Sequence, residues 1–376
     1  MNTEEYGRLL RSLKENASMI QVDGLEIEVR NCADREPGAA DPRSAAAAGV
    51  TREDFMHFRE RLHPQLWANE THLLGPEQGE NYSKLEFLRA QFGWVSSDMS
   101  TGIRTTCHEI AAEQGNFHLY QYEVLSKETE RPALIFIHGG GFFGGNITTV
   151  ENQCKLLAQL SGGVVFSVDY PLSPEHPYPA GFDTCYEALR WVYAHAGELG
   201  IGADKIGMAG DSAGGNLTLA CALRDRMEGN HMLSYEALIY PGSHMGETLE
   251  KPIYWKPEMY DNPKQDPLIE AQIRIIGETS VMAASWYIPE GVDDSQPGIS
   301  PMLADFSQLP KTTVMSAEYD FLRASCEALS RKLVAAGIET RHIRYGGIFH
   351  GTFDRLGYAP QVEDMLLEIA TDLKTL

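Results

Sequence analysis

The stretch Met208-Ala-Gly-Asp-Ser-Ala-Gly-Gly-Asn216 decides how this chain is read. It sets Ser212 in the pattern Gly210-Asp-Ser212-Ala-Gly214, directly behind the apolar run Lys205-Ile-Gly-Met-Ala209. A surface loop has use for a glycine or two. A serine with glycine two residues to either side has a more specific reading. A strand ends, the chain turns sharply into a helix, and the serine stands at the apex as an exposed nucleophile. Only small flanking residues then let the backbones pass. A plain strand-to-helix turn matches the same five residues, because short motifs recur by chance. The surrounding chain decides between them.

Outward from Ser212, apolar strands alternate with amphipathic helices. Strands are expected at Ile103–Ala111, Phe117–Leu125, Ala133–Ile137, Val164–Val168, Glu236–Tyr240, Thr312–Ser316 and Thr340–Tyr345. Helices are expected at Val150–Leu160, Phe182–Ala196, Ala213–Met227, Ala324–Ala336 and Ala359–Leu373. This rhythm argues an α/β fold with a mostly parallel sheet, covered on both faces. It breaks twice. Residues 1–100 read as an N-terminal cap or extension, with Leu9, Leu10 and Leu13 on a first helix, a loop over Asn31–Gly49 and a second helix from Thr51 toward Leu62. Residues 241–300, rich in proline and carrying Tyr254, Trp255, Trp286 and Tyr287, read as a cap insertion lying over the sheet. The core is then expected in two parts, 101–240 and 301–376.

Composition narrows the classes. With 376 residues the chain suits one large α/β domain with an added lid. A net charge of -22 repels phosphate backbones, which argues against nucleic acid as a partner. The six cysteines, Cys32, Cys107, Cys154, Cys185, Cys221 and Cys326, are scattered without a C-x-x-C pair and read as buried thiols. The opening MNTEEYGRLLRSLKEN lacks the apolar core of a signal peptide, and no run reaches transmembrane length, so a cytoplasmic protein is expected. A homo-oligomer is compatible with the sequence, and the partner expected is a small-molecule ester.

A serine hydroxyl needs a base to take its proton, and the base needs an orienting acid. In a doubly wound sheet both belong in loops after the carboxyl ends of strands. Two such loops follow Ser212. The first, Ser316-Ala-Glu-Tyr-Asp320-Phe-Leu-Arg323, offers Asp320, with Glu318 as its competitor for the acid role. The second, Tyr345-Gly-Gly-Ile-Phe-His350-Gly-Thr-Phe353, offers His350 in a glycine-rich setting unlike a core position. The chain order serine, acid, histidine is that of a hydrolase triad on such a sheet.

The developing oxyanion needs donors. His138-Gly-Gly-Gly141-Phe142 follows the strand at Ala133–Ile137, and glycines there let backbone N–H groups of Gly140 and Gly141 approach the charge. The N–H of Ala213 opens a helix, whose positive end favours an anion. His138 reads as a residue that fixes the loop. Phe142 and Phe143 are candidate pocket walls, or contacts between core and cap. Gly139-x-Gly141-x-x-Gly144 also matches a dinucleotide fingerprint, but no acidic residue ends the next strand at the expected offset, so no cofactor is assigned. No metal-ligand spacing is present.

With these residues placed, the chain resembles the hormone-sensitive-lipase-like family of carboxylesterases. The resemblance is carried by His138-Gly-Gly-Gly-Phe142, by Gly210-Asp-Ser-Ala-Gly-Gly215, and by Asp169-Tyr-Pro-Leu-Ser-Pro-Glu-His-Pro-Tyr-Pro179. Ile299-Ser-Pro-Met-Leu-Ala304 and Asp320-Phe-Leu-Arg323 extend it, so it runs from about residue 130 to the C-terminus. It implies an α/β-hydrolase core under a helical cap and hydrolysis of short- to medium-chain acyl esters, acetyl esters among them. It also implies the triad Ser212, Asp320 and His350 and the oxyanion donors Gly140, Gly141 and Ala213. The longer N-terminal portion and the acid loop Glu-Tyr-Asp-Phe-Leu-Arg depart from the family pattern. A lipase or amide-cleaving enzyme would use the same triad. A catalytically silent receptor on this fold would lack the base, which His350 supplies.

Overall fold

The computed structural model describes residues 1–45, 72–74, 81–89, 92–93, 96–112, 115–245, 259–260, 262 and 267–376. Helix α1 (Thr3–Glu15) opens the chain, followed by the hairpin β1 (Ser18–Val22) and β2 (Leu25–Arg30). Then come α2 (Pro42–Ala45), a small hairpin of β3 (His72–Leu74) and β4 (Asn81–Ser83), and α3 (Lys84–Arg89). The alternating part runs β5 (Ile103–Ile110), β6 (Phe117–Val124), β7 (Arg131–Ile137), α4 (Ile147–Ser161) and β8 (Val164–Asp169). It continues with α5 (Ala180–Ala194), α6 (Ala196–Leu199), β9 (Ile201–Asp211), α7 (Ala213–Met227) and β10 (Tyr235–Ile239). After α8 (Pro267–Tyr287) come β11 (Lys311–Tyr319), α9 (Arg323–Ala335), β12 (Thr340–Phe349) and α10 (Pro360–Leu373).

Ten of these strands form one mixed sheet in the order β1-β2-β12-β11-β10-β9-β7-β8-β6-β5. The centre, from β2 through β12, β11, β10, β9 and β7 to β8, pairs in parallel, while the β1–β2, β6–β8 and β5–β6 pairs are antiparallel. Ala133–Ile137 of β7 is buried at every residue. Alternate side chains of a strand face opposite ways, so both faces are covered. Helix α4 packs on α10, which also carries α1, and α5 packs on α7. The expected fold class is the observed one.

One expectation differs in detail. Residues 1–100 are read from sequence as cap or extension, yet Ser18–Arg30 belongs to the sheet, with β2 pairing in parallel with β12 through Glu28, Val29 and Arg30. The cause is local. Asp23 and Gly24 both take positive φ, 49° and 80°, and make a two-residue hairpin turn that projects a strand edge. Within the insertion at 241–300, Pro267–Tyr287 is a continuous helix of 21 residues. Its proline stands at the first helical position, where the missing N–H costs nothing. The helix expected from Thr51 to Leu62, and Tyr254 and Trp255, lie outside the described residues. No helix among the described residues is long and apolar enough to cross a membrane.

Candidate active site

β9 ends at Asp211 and α7 begins at Ala213, so Ser212 is the one residue between strand and helix. Its backbone stands at φ 55° and ψ -116°, costly for any residue with a Cβ, and persists only if its surroundings over-determine it. They do. The Ser212 N–H donates to the Ile239 carbonyl at 2.9 Å, and the Gly242 N–H donates to the Ser212 carbonyl at 3.2 Å. A Cβ on Gly210 would lie 2.3 Å from the Gly214 carbonyl oxygen, and one on Gly214 would lie 2.0 Å from that of Ile137. The flanking glycines are therefore demanded by close backbone approach.

β11 and β12 deliver the other two groups. His350 Nε2 lies 2.8 Å from Ser212 Oγ, and His350 Nδ1 lies 2.8 Å from Asp320 Oδ2. Asp320 is fully buried, and its other oxygen accepts the Leu322 N–H at 2.9 Å. Burial works against a charged imidazole, but Asp320 beside it, with Asp211 and Asp354 further off, raises the His350 pKa above its ordinary value. Glu318, the competing acid, points elsewhere. It binds the Arg35 guanidinium and accepts the Gly347 N–H at 2.6 Å, tying the N-terminal segment to β12.

On the other side of β9, the chain leaves β7 and turns through Gly140 at φ 130° and Gly141 at φ 60°. The Gly139 N–H donates to Asp211 Oδ1 at 2.8 Å, which ties this loop to the serine turn. No described group accepts a hydrogen bond from the N–H groups of Gly140, Gly141 or Ala213. All three residues line the same cavity as Ser212 and His350. His138 fixes the loop as expected. Its Nδ1 lies 2.8 Å from the Gly139 carbonyl, its ring stacks on Tyr170 at 4.4 Å, and burial pushes its pKa down to about 4.

Phe142 and Phe143 line the cavity and also meet the roof helix. Phe142 stacks on Tyr287 with centroids 3.9 Å apart, and Phe143 meets Trp286 edge-on at 5.0 Å. Ile276, Thr279, Ser280 and Ala283 of α8 complete that wall. Sequence reasoning missed these residues, although Ile269, Ile273 and Ile276 carry helical spacing behind Pro267. It also missed Arg89 of α3, which donates to the carbonyls of Phe143 at 2.6 Å and Ser173 at 2.9 Å and pairs with Glu175. The Arg89 pair ties Glu175 and its proline-rich loop to the N-terminal region.

Two further carboxyls stand near the histidine, and no motif flags their roles. Burial raises the Asp211 pKa to about 6, against the opposing Gly139 N–H and His350. Burial raises the Asp354 pKa to about 7, with Arg355 opposing it. Among the described residues, no group of three or more His, Cys, Asp or Glu is placed to hold a metal ion. Chemically, the arrangement offers a serine oxygen with a base in hydrogen-bond reach, an acid orienting that base, and unsatisfied N–H groups beside the serine.

Comparison with known proteins points the same way. Residues 134–354 match a family model described as alpha/beta hydrolase fold. A carboxylesterase of Mycobacterium tuberculosis, NlhH, is 34% identical over 226 residues, covering 58% of this chain and 66% of that protein. The esterase LipI of the same organism is 32% identical over 240 residues, covering 62% of this chain and 69% of that protein. The solved structure of an esterase from Pyrobaculum calidifontis superimposes with a TM-score of 0.65 at 28% identity, covering 85% of this chain and 93% of that one.

Proposed function

The chain belongs to the hormone-sensitive-lipase-like carboxylesterases of the α/β-hydrolase fold, and we propose that it is a serine esterase acting on small esters with short- to medium-chain acyl groups. The observation that carries this reading is the chain of contacts from Ser212 through His350 to Asp320, at 2.8 Å each, beside three unengaged N–H groups.

In this reading, His350 Nε2 takes the proton of Ser212 as its oxygen attacks the ester carbonyl. Asp320 holds the proton on Nδ1 and stabilises the imidazolium that forms. The oxyanion is received by the N–H groups of Gly140, Gly141 and Ala213, the last at a helix N-terminus. His350 then protonates the departing alcohol, which leaves an acyl-serine. Water, deprotonated by the same histidine, releases the acid and restores Ser212. The strained serine turn holds the oxygen in place before substrate arrives, so little reorganisation remains for the reaction step. Five of the six cysteines are buried free thiols, which fits a reducing, cytoplasmic setting.

The test is hydrolysis of p-nitrophenyl acetate, butyrate, octanoate and palmitate by the wild type and by Ser212→Ala. Turnover that declines toward palmitate and disappears in the variant is the expected result. A folded wild type that turns over none of the four would overturn the esterase reading. A preference for palmitate would replace it with a lipase.

A further inference from the structure

His244 lines the cavity that holds Ser212 and His350, is 6% exposed, and among the described residues has no hydrogen-bond partner at either ring nitrogen. Its backbone is held firmly. The preceding Ser243 carbonyl accepts the Met302 N–H at 2.9 Å, and the following Met245 N–H donates to Ser300 Oγ at 3.0 Å. Asn216, one turn into α7, donates to the Gly242 carbonyl at 2.6 Å. The imidazole is thus carried on a pinned loop next to the serine turn. Met245 and Leu322 are on the same cavity lining. Burial keeps the ring neutral, with its pKa pushed down to about 4.

A neutral imidazole has one donor and one acceptor. Leaving both buried and unanswered is destabilising, and native proteins seldom tolerate it outside functional sites. The topology also says where the ring acts. Its loop leaves β10, between β9, which brings Ser212, and β11, which brings Asp320. The candidate oxyanion donors on the glycine loop leave β7, on the other side of β9. The loop that carries the imidazole and the glycine loop thus leave strands on opposite sides of β9, and both reach the cavity at Ser212.

We infer that His244 is a substrate-binding residue that hydrogen-bonds a neutral polar group, a hydroxyl or second carbonyl, on the body of the ester. The preferred substrates are then oxygenated esters rather than plain alkyl ones. The inference rests on the esterase reading and gives that reading a substrate class. A site built around a polar side chain rejects the analogue that leaves it unpaired, because the desolvated group then has no partner.

The experiment compares isosteric pairs. On the acyl side these are p-nitrophenyl 3-hydroxybutyrate and p-nitrophenyl 3-methylbutyrate. On the alcohol side they are 2-hydroxyethyl butyrate and n-propyl butyrate. Relative kcat/KM within each pair is measured for the wild type, His244→Leu and His244→Asn. The wild type is expected to favour the hydroxylated member of at least one pair, and His244→Leu to lower that ratio about tenfold, the size of one hydrogen bond made in a desolvated site. His244→Asn, which keeps a donor and an acceptor, is expected to restore part of the ratio. The melting temperature of His244→Leu is expected to equal or exceed that of the wild type, since an unpaired buried polar group has been removed. Unchanged ratios in both pairs, or a lower melting temperature with equal losses on both members, would overturn the inference while leaving the esterase reading standing. A wild type inert toward all four esters would overturn both. Should His244→Leu not fold, the ratios of His244→Asn and of the wild type still decide.

Discussion

Replacing Asp320 by Asn changes one atom and tests the electrostatic reading of the site directly. Asp320 Oδ1 accepts the Leu322 N–H and Oδ2 meets His350 Nδ1, at 2.9 Å and 2.8 Å, with the carboxylate fully buried. An asparagine has one oxygen for these two demands. If the oxygen stays on Leu322, the amide N–H₂ faces Nδ1. It then forces the proton onto Nε2, where it blocks removal of the Ser212 proton. If the amide flips, the buried Leu322 N–H faces another donor, at a cost of about 1–3 kcal/mol. Taking about 2 kcal/mol, the blocked tautomer is favoured some 30-fold, since 1.4 kcal/mol is a factor of ten. The lost charge that would stabilise the imidazolium adds to this. Together the fall in kcat should reach about 10³–10⁴-fold, as for the equivalent change in serine proteases. The assay is kcat for p-nitrophenyl butyrate, with circular dichroism and thermal melting to show that the fold survives. A folded variant whose kcat falls less than tenfold would refute the tautomer argument and with it the role given to Asp320.

Glu318→Gln is the contrasting change, since Glu318 serves Arg35 and the Gly347 N–H rather than His350. It should lower stability by about 2 kcal/mol in denaturant titration and leave kcat within a few-fold of wild type, because it breaks a part-buried charged contact outside the reacting atoms. Because Asp320 and the neighbouring carboxyls hold the His350 pKa above 6.5, kcat/KM should be lost as pH falls through a midpoint above 6.5, where the base becomes protonated. Asp211→Asn removes one of those negative neighbours and should move that midpoint to lower pH, while its amide oxygen still accepts the Gly139 N–H. A profile that does not move would show that Asp211 does not act on the histidine. Gly214→Ala places a Cβ about 2.0 Å from the Ile137 carbonyl oxygen, with no flexible side chain to yield. It should cost about 1–3 kcal/mol in thermal or chemical unfolding and abolish ester turnover by displacing the serine turn.

Much of the site was legible because its parts are short and local. Gly210-Asp-Ser-Ala-Gly214 encodes a close backbone crossing, and a crossing imposes the same residues wherever it occurs. Strand-end logic points to Asp320 and His350, and the parallel run of β9, β10, β11 and β12 places His350 against both Ser212 and Asp320. Other signals were present but unread. Val22-Asp-Gly-Leu25 is a hairpin signature, and it explains why β1 and β2 extend the sheet. The isoleucines behind Pro267 announce the helix that roofs the cavity. His244 carried no signal, because a histidine in a loop looks the same whether its nitrogens are solvated, bonded or orphaned.

The sequence by itself determined the alternation of strands and helices, the sharp turn at Ser212 and the two strand-end loops that offer an acid and a histidine. Each depends on neighbours within a few residues or on the periodicity of one element. Only the tertiary structure decided which carboxyl faces His350: a spacing of two would put Glu318 and Asp320 on one strand face, but β11 ends at Tyr319, and the chain beyond it turns Asp320 to His350 while Glu318 meets Arg35. It also decided that Asp211 anchors the glycine loop, that α8 lines the cavity, and that His244 stands there with no partner among the described residues. Burial and partnership are properties of what surrounds a side chain, and those surroundings come from strands and loops far apart along the chain.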